Sequence, residues 1–320
     1  MPLTTFGFEL EFEAGAPEVA QHLYSSHRDL IGSDNLHSYH CDCETCDLNG
    51  DDPFLLRAQN DSSCSGELIS SVLDHIDQAR PVFEAVQEAA WEVDAVPGMN
   101  SGMHVHVGMA NWRYTSSDRM PQAEMFYQWL RWEKVFAKIG QGRFDQMRGF
   151  NQTKRDQFSY QIERGFYWGD DGRRNRNSDK FYSGGWNAWF EAVESLDTEV
   201  RDNLLLEMIQ VSREHDRHSF LATHTRHNTW EFRLWNSTRV AWRMELFVQL
   251  SRLFVSPDFN DRLAGISYGE DPEKDDPIKA IPSLLEIMPD RVRPLLERQL
   301  NWLEQVENEV VPYSNELTIT

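Results

Sequence analysis

The segment FGFELEFE, residues 6–13, alternates without a break: Phe6, Phe8, Leu10 and Phe12 take one parity, Glu9, Glu11 and Glu13 the other. Successive side chains of an extended strand point to opposite faces, so this segment predicts a strand with one apolar and one acidic face. Two more segments repeat the arrangement with different chemistry. In SGMHVHVG, Met103, Val105 and Val107 oppose His104 and His106; in NTWEFRLWNST, Trp230, Phe232 and Leu234 oppose Glu231, Arg233 and Trp235. Strand glutamates usually face solvent in a half-buried sheet, and a lone strand histidine is usually a satisfied core residue, so none of these segments alone assigns a site. Side by side in one sheet, the three polar faces would crowd several carboxylates together, with Glu67 of CSGELIS as a further contributor. Like charges that close are unfavourable unless cations neutralise them. Hard divalent cations fit, Mg²⁺ in particular, because a few carboxylates plus a substrate's phosphates hold it. Arg233 then offers a planar fork for phosphate or carboxylate.

Charge narrows the partners. The chain has 52 acidic against 31 basic residues, a net charge of −21. Such a surface repels nucleic-acid phosphates, which argues against general DNA or RNA binding. Lysine is scarce and first occurs at Lys134. An acidic, lysine-poor, arginine-retaining composition resembles that of proteins from salt-loving organisms or their viruses, where salt screens self-repulsion; an ordinary acidic mesophilic protein is the alternative. Hydrophobic residues make up 40% of the 320, enough for a sizeable core. No apolar run approaches the roughly 20 residues that span a bilayer, and the first residues lack the basic-then-apolar pattern expected of a signal peptide. The expectation is a soluble cytoplasmic protein without a membrane partner, in a haloarchaeal host or its virus.

Periodicity predicts short strands over residues 54–59 and 66–72, joined by the turn formers Asn60, Asp61, Ser62 and Ser63. It predicts helices over 17–30, 75–93, 122–139, 198–212, 239–254 and 289–310. Residues 140–185 are rich in Gly, Asn and Arg and read as loops facing a substrate. Residues 265–282 read as a charged, proline-bearing linker. No internal repeat is present. The domain expectation is a catalytic unit over residues 1–255, with a Cys-rich loop at 37–64, and a linker plus helical extension over 256–320 packed on it.

The stretch SGMHVHVG resembles the Gly-Met-His-x-His element of glutamine synthetases. The ordered set FGFELEFE, NDSSCSGELISS, SGMHVHVG and NTWEFRLWNST resembles the motif series of the amidoligase family, over roughly the first three quarters of the chain. That family stands with glutamine synthetase and glutamate–cysteine ligase. The resemblance implies an α+β fold with an antiparallel sheet packed against helices. It also implies an ATP- and Mg²⁺-dependent carboxylate–amine ligase that forms an amide through an acyl phosphate, with ATP, a carboxylate and an amine as substrates. Carried over residue by residue, Glu9, Glu11, Glu67 and Glu231 would hold metal ions, His104 would sit at a metal and His106 near the nucleotide phosphates. Arg233 would stabilise the transferring phosphoryl group. Asp61 falls at the aspartate of the family's Asp-x-Ser element, and Arg143 or Arg148, in GRFDQMRGF, would contact phosphate. A metal-dependent hydrolase using the same groups without ATP is one alternative; an inactive structural protein, such as a virion component, is another.

One segment departs from that pattern. All 4 cysteines, Cys41, Cys43, Cys46 and Cys64, lie within residues 41–64, with His37 and His40 nearby. Three thiols in six residues plus a fourth beyond a loop suit a structural tetrahedral Zn²⁺ site; disulfides and unligated thiols are the alternatives.

Overall fold

The computed structural model describes residues 4–38, 54–61, 64–98, 101–108, 116–141, 167–168, 174–175, 195–211, 221–224, 229–268 and 276–307. Elements in chain order are β1 (Phe6–Phe12), α1 (Ala16–Ser26), β2 (Leu56–Gln59), β3 (Gly66–Ser70), α2 (Ile76–Glu92), β4 (Gly102–Gly108) and α3 (Ser116–Gln141). Then follow β5 (Tyr167–Trp168), β6 (Arg174–Asn175), α4 (Thr198–Val211), β7 (Leu221–His224), β8 (Thr229–Asn236) and α5 (Ala241–Phe254). The chain continues with α6 (Pro257–Ala264), α7 (Pro277–Ile287) and α8 (Arg293–Glu307).

Six strands form one sheet in the order β2-β3-β1-β4-β8-β7, with every paired neighbour antiparallel. The fold is therefore α+β, an antiparallel sheet with helices against it. The apolar parity of β1, β4 and β8 faces the helices. Phe8 meets Phe83 of α2 at 5.1 Å, and Phe232 meets Trp129 of α3 at 5.4 Å. Phe6, Phe8, Leu10, Met103, Val105, Val107, Trp230 and Phe232 are all buried there. Removing this apolar surface from water, at about 25 cal/mol per Å², is what fixes which face of each strand points inward.

The helices follow their sequence signals. The N-terminus of α2 is closed by a capping box between His75 and Gln78, and Val82, Phe83, Val86, Ala89 and Ala90 line its buried side. A second tier of helices backs the first. Arg243 of α5 lies 4.0 Å over the ring of Trp302 in α8, and Gln299 Nε2 of α8 donates to Ile139 O of α3 at 2.7 Å.

Several boundaries differ from the sequence reading. The supposed linker at 265–282 contains the start of α7. Asp276 accepts a hydrogen bond from Ile278 N at 3.0 Å, and Pro277 occupies the first turn. Within that charged, proline-bearing stretch, Asp276 and Pro277 form a helix start. Strand β7 had no recognisable alternation in the sequence, and α6 opens on Pro257 directly after the end of α5. Most of 140–185 lies outside the described residues; of the remainder, residues 140–141 end α3 instead of opening a loop, and β5 pairs with β6.

Trp235 is also on the other face from the one expected. Alternation put it with Glu231 and Arg233, yet it stacks on Phe247 of α5 at 4.8 Å and donates from Nε1 to Ser251 Oγ at 2.9 Å. The cause is a β-bulge. Val105 pairs with Phe232 but Met103 pairs with Trp235, so β8 carries one extra residue over this step and its parity changes after Arg233.

Candidate metal centre

Register brings the polar parities together. Glu11 sits opposite Glu67, Glu9 opposite His104, and His106 opposite Glu231. Directly paired residues share a face, so carboxylates and imidazoles from β3, β1, β4 and β8 form one polar surface behind the apolar core. Glu11, Glu67, His104 and Glu231 are each at most 5% exposed.

Glu9 is the hub. Its Oε2 lies 3.1 Å from His104 Nδ1 and its Oε1 lies 3.2 Å from His106 Nε2. The His104 ring also faces Glu231 Oε1 from Nδ1 and Glu11 Oε1 from Nε2, both at 3.6 Å. Arg233 Nη1 donates to Glu231 Oε1, which places the guanidinium at the edge of the cluster. Two neutral donors hold the other carboxylates. Gly102 N–H donates to Glu11 Oε2 at 2.6 Å, and Gln59 Nε2 donates to Glu67 Oε1 at 3.1 Å.

The electrostatics divide the cluster. Burial pushes the Glu9 carboxyl up, but the charge of His106 and hydrogen bonds from both histidines outweigh it and hold Glu9 well below the usual range. Glu231 is likewise lowered: burial is overcome by His106, Arg233 and His104. His106 is raised, because Glu9 and Glu231 outweigh the burial that disfavours its charge. Glu67 goes the other way. Burial, then the carboxylates of Glu9, Asp61 and Glu11, push it up to about 9 against the weaker pull of Arg57. Metal-free and near neutral pH, Glu67 keeps its proton while Glu9 and Glu231 are ionised.

Two sets of three donors are compact enough for an ion each. One ligand atom from each of Glu9, His106 and Glu231 lies within 4.8 Å of the others, as do those of Glu11, Asp61 and Glu67. The donor chemistry fits hard divalent cations: three carboxylates in one set, two carboxylates and an imidazole in the other. Glu9, Glu11, Glu67, Glu231, His104, His106, Arg233 and Asp61 thus meet on one face. The resemblance gave the metal to His104 and the phosphates to His106; the compact set contains His106, while His104 lies between the two sets.

Arg143, Arg148, Cys41, Cys43 and Cys46 lie outside the described residues. Cys64 donates to Gly66 O at 3.3 Å, and burial, with Glu11, Asp61 and Glu67 adding, pushes its thiol up to about 12. Sequence reasoning missed Gln59 and Gly102. Gln59 shares a parity with Arg57 in LRAQ, a segment too short for alternation to stand out, and a backbone donor such as Gly102 N–H has no side-chain signal at all. A scan against protein-family models finds no match to this chain, and a search of curated proteins finds no significant relative.

Proposed function

We propose that the protein is an ATP- and Mg²⁺-dependent carboxylate–amine ligase on a fold like that of glutamine synthetase and glutamate–cysteine ligase. The observation that supports this most is the convergence, on one sheet face, of two cation-competent donor sets with Arg233 beside them. Forming an amide from an unactivated carboxylate needs a better leaving group than oxide. Transfer of the ATP γ-phosphoryl supplies one as an acyl phosphate, which an amine then attacks. Phosphoryl transfer is mainly positioning and charge neutralisation, so it calls for fixed charges rather than a nucleophilic side chain.

In this reading Glu9, Glu231 and His106 hold one cation and Glu11, Asp61 and Glu67 the other. Bound there, the cations would neutralise phosphate charge and orient the nucleotide. Glu9 is kept ionised by its two imidazoles and is ready to ligate without first losing a proton. His104 spans Glu9, Glu231 and Glu11 and keeps the two sets in a fixed relation. Arg233, charged and tied to Glu231, would stabilise the transferring phosphoryl group.

Glu231→Gln keeps the shape of the side chain and removes a ligand charge; Arg233→Lys keeps the charge and removes the planar fork. Each is expected to lower the rate of ADP formation by roughly 10²–10³, the loss of one preorganised charge at about 3–4 kcal/mol. The measurement is calorimetric binding of Mg²⁺ with ATP, followed by ADP release in the presence of pooled carboxylates and amines. ADP release that needs both a carboxylate and an amine identifies a ligase. Hydrolysis of a test substrate without ATP would favour the metal-dependent hydrolase. A wild type that binds no nucleotide, with Glu231→Gln indistinguishable from it, defeats the proposal.

A further inference from the structure

We infer that Gln59 is a positioning residue that presents the Glu67 carboxylate to the second cation; the inference rests on the cation-dependent reading of this face. Gln59 ends β2, directly opposite Glu67 of β3, and the two are 3% and 5% exposed. Its Nε2 donates to Glu67 Oε1 at 3.1 Å. A buried carboxylate without a fixed donor can turn about its terminal torsion. The amide removes that freedom for Glu67. Being uncharged, it orients the carboxylate without competing for it as lysine or arginine would.

The surrounding backbone makes Gln59 a rigid holder. His37 N–H donates to Ala58 O at 3.0 Å and Asn60 N–H donates to His37 O at 2.8 Å, so the outer edge of β2 is strapped on both sides of Gln59. Gly66, just before Glu67, has φ +147°, and a Cβ there would come within 3.1 Å of Gln59 O. That close approach keeps the two strands, and hence amide and carboxylate, at a fixed separation. The two donor sets are oriented in part by different groups. His104 and Arg233 border Glu9 and Glu231, and His104 Nε2 also lies 3.6 Å from Glu11 Oε1, whereas the neutral donors Gln59 Nε2 and Gly102 N–H reach Glu67 and Glu11.

The test is titration of the metal-free full chain with Mn²⁺ alone, by calorimetry and by the electron paramagnetic resonance of bound Mn²⁺. Glu231→Gln and Asp61→Asn serve as references for the first and second sets. The wild type is expected to bind two classes of Mn²⁺. Gln59→Leu should reproduce the Asp61→Asn pattern, weakening one class by about 10- to 100-fold while sparing the class lost in Glu231→Gln. Gln59→Glu, which adds a carboxylate beside Glu67, should lower the melting temperature of the metal-free protein and gain more from Mn²⁺ than the wild type does.

A residue that only fills space would not separate the two classes. Gln59→Leu that binds both classes as the wild type does, or weakens both alike, overturns the inference while leaving the ligase reading standing. Where Gln59→Leu does not fold, Gln59→Glu decides, and an Mn²⁺-induced gain no larger than the wild type's overturns it. A wild type that binds no Mn²⁺ defeats the cation reading and this inference together.

Discussion

At the scale of single residues, the split between Glu67 and its neighbours gives the centre a pH dependence. Glu67 must lose its proton, and His106 must be neutral, before either can bind a cation. With its carboxyl raised from 4.5 to about 9, Glu67 binds a proton in the folded protein that it would release when unfolded. Between those values the folded state holds the extra proton, so this group's contribution to stability falls as pH rises toward 9. Well above 4.5, Glu9 and Glu231, both lowered, are ionised in the folded and unfolded protein alike and add no slope, whereas His106, raised from 6.5, adds a fall of the same sign. A cation bound in the second set, as proposed, would displace the Glu67 proton and remove the repulsion. The melting-temperature gain from a fixed Mg²⁺ concentration is therefore expected to be larger at pH 8.5 than at pH 6, with protons released on binding. A gain that is constant with pH, or larger at pH 6, would show that Glu67 is not a ligand. Much of this cluster was legible in the sequence because strand parity alone tells which residues share a face. Which imidazole joins which carboxylates was not, since that depends on side-chain torsions and inter-strand register.

At the scale of elements, the strands with strict alternation were the most readable, and they failed only where geometry broke the period. The bulge in β8 sends Trp235 to the helix side, where it packs between Phe136 and Phe247. The bulge falls at Arg233 and Leu234, between Phe232 and Trp235, so the distortion helps set where the Arg233 guanidinium points. Helix α3 depends on this arrangement. A Cβ on Gly140 would lie 2.7 Å from Trp235 and 3.1 Å from Leu234 O, so α3 approaches β8 as closely as a glycine allows. On an open helix surface Gly→Ala would stabilise by roughly 1 kcal/mol through helix propensity. Here the sign should reverse. Gly140→Ala is expected to destabilise by about 1–3 kcal/mol in urea unfolding, because the ring is locked by Phe136, Phe247 and Ser251 and cannot give way. A neutral or stabilising Gly140→Ala would mean that the contact relaxes and that β8 is not held from behind.

At the scale of the whole molecule, charge is the dominant property and the one that needed no structure to read. The helices pack tightly on one face of the sheet, and no helix among the described residues is long and apolar enough to cross a membrane. With 52 acidic residues against 31 basic, self-repulsion is a cost that the compact state carries and the expanded chain largely escapes. Two kinds of cation relieve it in different ways. A divalent ion in the site would act on a handful of buried carboxylates, whereas monovalent salt screens the entire surface. Chelating trace divalent ions and titrating KCl isolates the second effect. Screening of an ordinary acidic surface is largely complete once the Debye length falls to about 8–10 Å, near 0.1–0.15 M. A protein adapted to high salt should continue to gain. The melting temperature is expected to rise from low KCl well into the molar range, in the presence of a chelator. A rise that stops by a few tenths molar would identify simple screening on an acidic mesophilic surface, and a fall would remove the salt-adapted reading of the composition altogether.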